Sequence, residues 1–309
     1  MNPSKAHSDN TIIMVHGWPS IWSTWSPQIQ AFQNDYHLIV PDLRGFGQSS
    51  HPGNVRSSGT MQDIVSDLVC ILEKAGVKKA TCMGHDWGSA VCYEAARSRP
   101  DIFQGVISAV VPYISSSSDF LPISQFIPAF PKLAYQLYFD QNTDEAVAEL
   151  DADIRRSLRS VFRTQNSAPP DSFLTSTKNF LGAYGDGEIP PIPFFTKEEE
   201  DYLVEQFEIQ GFKDTLQFYM MPNRYQSWKF AFDQGNATIK CPVLAVYPTD
   251  DPVADWKKVV KLLDSTKHLP ELTVHEANGA HWIHLENAEV FNDIVKKWLE
   301  GRTHQRDEL

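Results

Sequence analysis

The sequence predicts an α/β protein, with a mostly parallel sheet, helices on both faces and one inserted helical region. Two patterns carry this. Six short β-branched runs alternate with segments of helical period, as buried parallel strands and their crossover helices do. Between the fourth and fifth runs, residues 112–228 show no strand pattern. The chain of 309 residues, 42% hydrophobic and 12% aromatic, has enough apolar content to bury a core of this size.

The strand runs are 11–17 (TIIMVHG), 36–42 (YHLIVPD), 79–85 (KATCMGH), 104–111 (QGVISAVV), 241–247 (CPVLAVY) and 271–277 (ELTVHEA), each bounded by turn residues. Helices are expected over 60–76, stopping at Gly76, over 89–100, stopping before Pro100, and over 287–301, stopping at Gly301. The chain then divides into a first core segment 1–111, an insertion 112–228 and a second core segment 229–309. Inside the insertion, 144–163 reads as helix and 182–195 as irregular loop. The stretch 196–212 reads as a helix with Thr196 as N-cap, its run Glu198, Glu199 and Glu200 forming a solvated face.

Composition excludes several classes of function. A formal net charge of -12 repels phosphate backbones and argues against nucleic acid as a partner. No apolar run approaches the roughly 18 residues of a bilayer span. The cysteines at 70, 82, 92 and 241 have neither CxxC nor zinc spacing and read as buried free thiols. The polar start, MNPSKAHSDN, lacks signal-peptide character and points to the cytoplasm. The final RDEL is close to an endoplasmic-reticulum retrieval signal, and would point to that lumen if a secretory signal had been lost.

The chemistry centres on Gly84-His85-Asp86-Trp87-Gly88. A G-x-S-x-G frame between strand and helix raises a nucleophile on a sharp turn, and its small residues let the backbone crowd. Here the raised residue is a carboxylate, which can displace a leaving group at saturated carbon and form an alkyl ester of the enzyme. Water must then cleave that ester, so a base and an oxyanion hole are still required. The plain alternative is an Asp that caps the following helix. His281, on the turn after the last strand run, is the candidate base, ahead of His275 and His284. Asp250 or Asp251, after the fifth run, would orient it. The N–H groups of Trp18, in HGWP, and of Trp87 are the candidate oxyanion hole, and Pro19 is a candidate cis residue. Gly45 and Gly47 in DLRGFGQS lack the third glycine of a dinucleotide fingerprint and read as a tight turn.

Taken together, HGWP, DLRGFGQS, GHDWG, the Asp near 251 and the AHW at 280–282 resemble the α/β-hydrolase-fold epoxide hydrolases over nearly the whole chain. The resemblance implies that the insertion is a helical cap. It also implies that Asp251 is the acid, and that Tyr135 (in YQLYF) and Tyr219 (in GFKDTLQFY) hydrogen-bond the epoxide oxygen. The implied substrates are a small lipophilic epoxide and water, with no metal or organic cofactor. Phe126, Phe139 and Trp282, with Trp18 and Trp87, are candidate apolar walls. Two departures stand out. Members usually have further strands before HGxP, whereas 15 residues precede His16 here, and Met220 follows Tyr219 where Arg is usual. Rival readings are a haloalkane dehalogenase, which shares GHDWG, and a non-catalytic binding protein of the same fold. Oligomeric state is not legible.

Overall fold

The structure is a computed structural model that describes the backbone of residues 10–307 and the side chains of 10–302. The expectations that fall on Met1–Asp9 and on the C-terminal RDEL lie outside the described residues. Six strands form one sheet: β1 (Thr11–Val15), β2 (His37–Ile39), β3 (Ala80–His85), β4 (Phe103–Ala109), β5 (Val243–Pro248) and β6 (Leu272–Ala277). Their order is β2-β1-β3-β4-β5-β6, and every pairing is parallel. Each strand lies within or beside a run read from the sequence. The chain crosses over after β1 to build one side of the sheet and after β3 to build the other. The end of β3 therefore lies at the centre of the sheet, where its loop meets the loop after β1.

Alternation along the strands divides the core. Ile13, Val15 and Cys82 face one side, where they pack with Ile64, Leu68 and Val91 of helices α2 (Met61–Lys74) and α3 (Trp87–Ser98). Ile12, Met14 and Met83 face the other, with Phe32 of helix α1 (Ser26–Phe32) and Phe291 and Val295 of the helix after β6. Helix α2 begins with a capping box, in which Thr60 accepts from the Asp63 N–H and the Asp63 carboxylate accepts from Thr60. Its stop at Lys74 is followed by Gly76 at φ +70°.

Between β4 and β5 there are only helices, short 3-10 turns and loops. Expected helix 144–163 is two helices, Thr143–Ala152 and Ile154–Val161. They part at Asp153, whose side chain caps the second by accepting from the Arg156 N–H. Thr196 caps Lys197–Glu208 through a full capping box, as its spacing suggests. The solvated-face reading fails for Glu200, which is 3% exposed. It accepts from Arg155 and Arg159 and from the Ile192 N–H, and so ties three cap segments together. The helix Met221–Asp233 runs on through position 228.

Two further sequence readings meet the structure here. Cys82 on β3 and Cys92 on α3 form a disulfide, which corrects the reading of all four cysteines as free thiols; Cys70 and Cys241 are free. A spacing of ten residues carries no recognisable motif, and only the packing of α3 on β3 brings the two sulfurs together. Gly45 and Gly47 sit at positive φ in a tight turn closed by Gly45 N–H to the Ser49 carbonyl at 2.9 Å. Among the described residues no helix is long and apolar enough to cross a membrane.

Candidate active site

Strand β3 ends at His85 and helix α3 begins at Trp87, so Asp86 alone makes the turn. Its φ of 54° and ψ of -123° lie in the region that L-residues rarely adopt. The flanking glycines make this geometry possible: a Cβ on Gly84 would strike the Gly88 carbonyl, and one on Gly88 would strike the Val15 carbonyl. Asp86 occupies the N-cap position of α3, yet its side chain makes no capping bond. The carboxylate points instead toward the loop after β1.

There the Trp18 N–H donates to Asp86 Oδ1 at 3.0 Å. The Trp87 N–H, the second donor expected of an oxyanion hole, is near enough to favour the charged carboxylate. The Trp18–Pro19 peptide is cis. A Cβ on Gly17 would sit 2.6 Å from Asp86 Oδ1, so only glycine lets the two loops approach this closely. Buried His16 fixes the first loop: the Leu43 N–H donates to its Nε2 at 3.0 Å, and its Nδ1–H donates to the Gly17 carbonyl at 2.9 Å. Burial raises the Asp86 pKa, against the opposing pull of His281 and the two N–H donors.

His281 Nδ1 lies 2.8 Å from Asp251 Oδ2, and His281 Nε2 lies 3.7 Å from Asp86 Oδ2. The second distance is too long for a direct hydrogen bond and leaves Nε2 available to a water between them. Asp251 is fixed by further donors, the Val253 N–H at 2.8 Å and the Trp256 indole N–H at 2.6 Å. Asp250 turns away and accepts from Gln165 at 2.9 Å. Burial by itself would depress the His281 pKa, but the Asp251 charge and hydrogen bond, with Asp86, outweigh it and the net shift is upward. His284 is fully buried, and neither of its ring nitrogens bonds a protein group; His275 lies in exposed β6.

Tyr135 starts the helix Tyr135–Gln141, and Tyr219 ends the 3-10 turn Asp214–Tyr219. Their rings lie 5.7 Å apart, and both line the same cavity as Asp86 and His281. Burial, and the charge of Asp86 after it, pushes the Tyr135 pKa up; burial, then Tyr135 and Asp86, does the same for Tyr219. Both hydroxyls therefore stay protonated and can donate.

The cavity, about 400 Å³, also has Trp18, Trp87 and Phe126 in its wall. Phe139 and Trp282 do not line it. Phe139 packs behind the tyrosines, with ring centroids 5.4 Å from Tyr135 and 5.1 Å from Tyr219. Trp282 stacks on Phe162 at 4.0 Å and donates its indole N–H to the Val161 carbonyl at 2.9 Å, so it joins core to cap. Both are fully buried. The sequence reading also missed residues. Trp256 holds Asp251 from the start of the next helix, and Arg224 and Gln136 line the cavity. Gln136 follows Tyr135 directly. Arg224, five residues past Tyr219 on a helix, carries no signal that separates it from a solvated cation. Among the described residues, no group of three or more His, Cys, Asp or Glu is placed to hold a metal ion.

Residues 10–288 match the alpha/beta hydrolase fold family. Bifunctional epoxide hydrolase 2 of Sus scrofa is 29% identical over 298 residues, 95% of this chain and 52% of that protein. The chain thus spans about half the length of the first relatives it matches. Epoxide hydrolase A of Mycobacterium tuberculosis is 26% identical, with 94% of this chain and 90% of that protein covered. Among solved structures, an epoxide hydrolase from an endophytic Streptomyces superposes with a TM-score of 0.83 at 26% identity, covering 96% of this chain and 90% of that one. Epoxide hydrolase A from Mycobacterium thermoresistibile gives 0.81 at 28% identity, covering 94% and 91%. With a family match across most of its length, and with a strained Asp86 elbow at the centre of a parallel sheet, this chain belongs to the alpha/beta hydrolase fold family.

Proposed function

We propose that this chain is an epoxide hydrolase that converts a small lipophilic epoxide and water to a vicinal diol. One observation carries the reading: a nucleophile-elbow carboxylate and two protonated tyrosines face one cavity. Asp86 Oδ2 attacks an oxirane carbon, and the C–O bond breaks as one of Tyr135 and Tyr219 transfers its proton to the departing oxygen while the other donates a hydrogen bond to it, leaving a hydroxyl on the substrate and a tyrosinate. The product is an ester on Asp86. Asp251 keeps the His281 proton on Nδ1, so Nε2 takes a proton from water while the hydroxide adds to Cγ of Asp86. Negative charge then develops on Oδ1, which the Trp18 N–H holds and which the Trp87 N–H is taken to share as the second oxyanion donor. Collapse of this intermediate expels the diol oxygen, which takes the proton from His281; Asp86 emerges as the carboxylic acid, and its proton returns to the tyrosinate, regenerating the free enzyme.

The relatives and solved structures named above are epoxide hydrolases, which supports the assignment. A haloalkane dehalogenase would use the same Asp86 and His281 but leaves the tyrosine pair without a role. The Cys82–Cys92 bridge favours an oxidising compartment. The test is diol formation from styrene oxide by the wild type and by Asp86→Asn. Turnover by the wild type alone supports the reading. A folded wild type that opens neither styrene oxide nor other terminal epoxides, or a fully active Asp86→Asn, refutes it.

A further inference from the structure

In a chain with a net charge of -12, the cavity beside Asp86 contains an arginine that no carboxylate among the described residues pairs with. Arg224 lies on the helix Met221–Asp233, and its guanidinium stands over the Trp87 ring, 5.5 Å from the centroid. Its Nη1 donates to Gln136 Oε1 at 2.9 Å. It is the one hydrogen bond of the guanidinium among the described residues, so the other N–H groups of this cavity-lining residue remain to be used by a ligand.

Other arginines on the inward side of the fold are satisfied, either by a carboxylate or, for Arg163, by the backbone carbonyls of Phe162, Pro190 and Pro191. Arg44 pairs with Asp67 at 2.6 Å, Arg97 with Glu94 at 2.7 Å, and Arg159 with Glu200 at 2.7 Å. Among the described residues no carboxylate lies within ion-pair distance of Arg224. Asp140 is the acid whose charge reaches it, but Asp140 Oδ1 is taken by Arg56 at 2.9 Å and by the Met221 N–H at 2.9 Å. Withdrawing an unpaired cation from water is costly, and here burial lowers the Arg224 pKa. A neutral substrate that filled the cavity would deepen that cost. A carboxylate would remove it, because the guanidinium fork matches a carboxylate with two parallel hydrogen bonds.

We propose that Arg224 is a specificity residue, and that the site takes epoxides carrying a carboxylate, bound by Arg224 while the oxirane oxygen lies on Tyr135 and Tyr219. Gln136 holds the guanidinium in place from the position next to Tyr135. This rests on the epoxide-hydrolase reading for its chemistry but not for its binding.

The kinetic test compares phenylglycidate and para-carboxystyrene oxide, two spacings of acid from ring, with their neutral primary amides. The expected result is a kcat/KM for at least one acid about tenfold or more above that of its amide. In Arg224→Gln that ratio falls to about one, chiefly through KM, and Arg224→Lys retains part of it. Two results overturn the proposal: no acid exceeds its amide, or Arg224→Gln slows acid and amide alike through kcat with the ratio unchanged. The second would make Arg224 a positioning residue acting through Gln136 on Tyr135. Calorimetric binding of phenylacetate against phenylacetamide needs no turnover. Preference for the acid that vanishes in Arg224→Gln upholds the anion site even if every epoxide is refused, and equal binding of the two by the wild type overturns it.

Discussion

Acid should destabilise this protein above the ordinary carboxylate range, and the cause is a set of buried imidazoles. His16 and His85 are 1% exposed and His284 is 0% exposed. Burial depresses the His16 pKa to about 4 and that of His284 to about 3, with the charge of His281 adding to the latter. Burial, and after it the neighbouring His284 and His281, holds His85 well below the ordinary value. In the unfolded chain each titrates near 6.5. Between that value and the folded one, the unfolded state binds more protons, so stability falls as pH falls. From about pH 6.5 to pH 5, His16 and His284 each remove roughly 2 kcal/mol and together roughly 4, at about 1.36 kcal/mol per ring per pH unit, and His85 acts in the same direction. That is a large fraction of the stability of an ordinary domain. His281 acts in the opposite sense. Its folded pKa is raised, so its contribution is complete below the unfolded value and is lost as pH rises through the folded one. The assay is urea unfolding followed by tryptophan fluorescence at several values between about pH 7 and 5. His284→Phe keeps a ring against Trp25 and His85, whose centroids lie 4.7 and 4.2 Å away, and should lower the slope by about 1.36 kcal/mol per pH unit. An unfolding free energy that stays flat over this range, or an unchanged slope in His284→Phe, would refute the reasoning.

Other outcomes can be checked directly. Tyr135→Phe and Tyr219→Phe should each lower epoxide kcat/KM by about 10²-fold, and the double variant by more, because each loses a donor to the opening ring; steady-state diol release measures this, and wild-type rates in the double variant would exclude the tyrosines. Asp251→Asn removes the charge that fixes His281 Nδ1–H, so ester hydrolysis should slow by ~10⁴-fold and the alkylated protein should accumulate, visible as a mass increase in the intact enzyme. Thiol titration of the unfolded, unreduced protein should count two groups, Cys70 and Cys241, and a count of four would show that the Cys82–Cys92 bridge is absent. Reducing that bridge should cost about 3 kcal/mol by the chain-entropy argument for a loop of this length.

The sequence by itself determined the sheet and the elbow. Buried parallel strands are read locally, because short β-branched runs bounded by turn residues leave little else for the backbone to do. Gly84 and Gly88 mark the turn at Asp86 because no Cβ fits at either place. Position in the chain order then singled out His281, and the resemblance singled out Asp251 for the distance at which the structure places it. Tertiary structure alone decided what depends on segments far apart in the chain. Trp282 and Phe139 are as aromatic as Trp87, but only packing shows that they support the wall and do not form it. Glu200 sits in an acidic run that reads as solvated until the helix Ile154–Val161 brings Arg155 and Arg159 against it. Cys82 and Cys92 pair because α3 packs across β3. Arg224 shows the limit most clearly. Its role depends on the absence of a partner carboxylate, and an absence at a point in space has no local signature in the sequence.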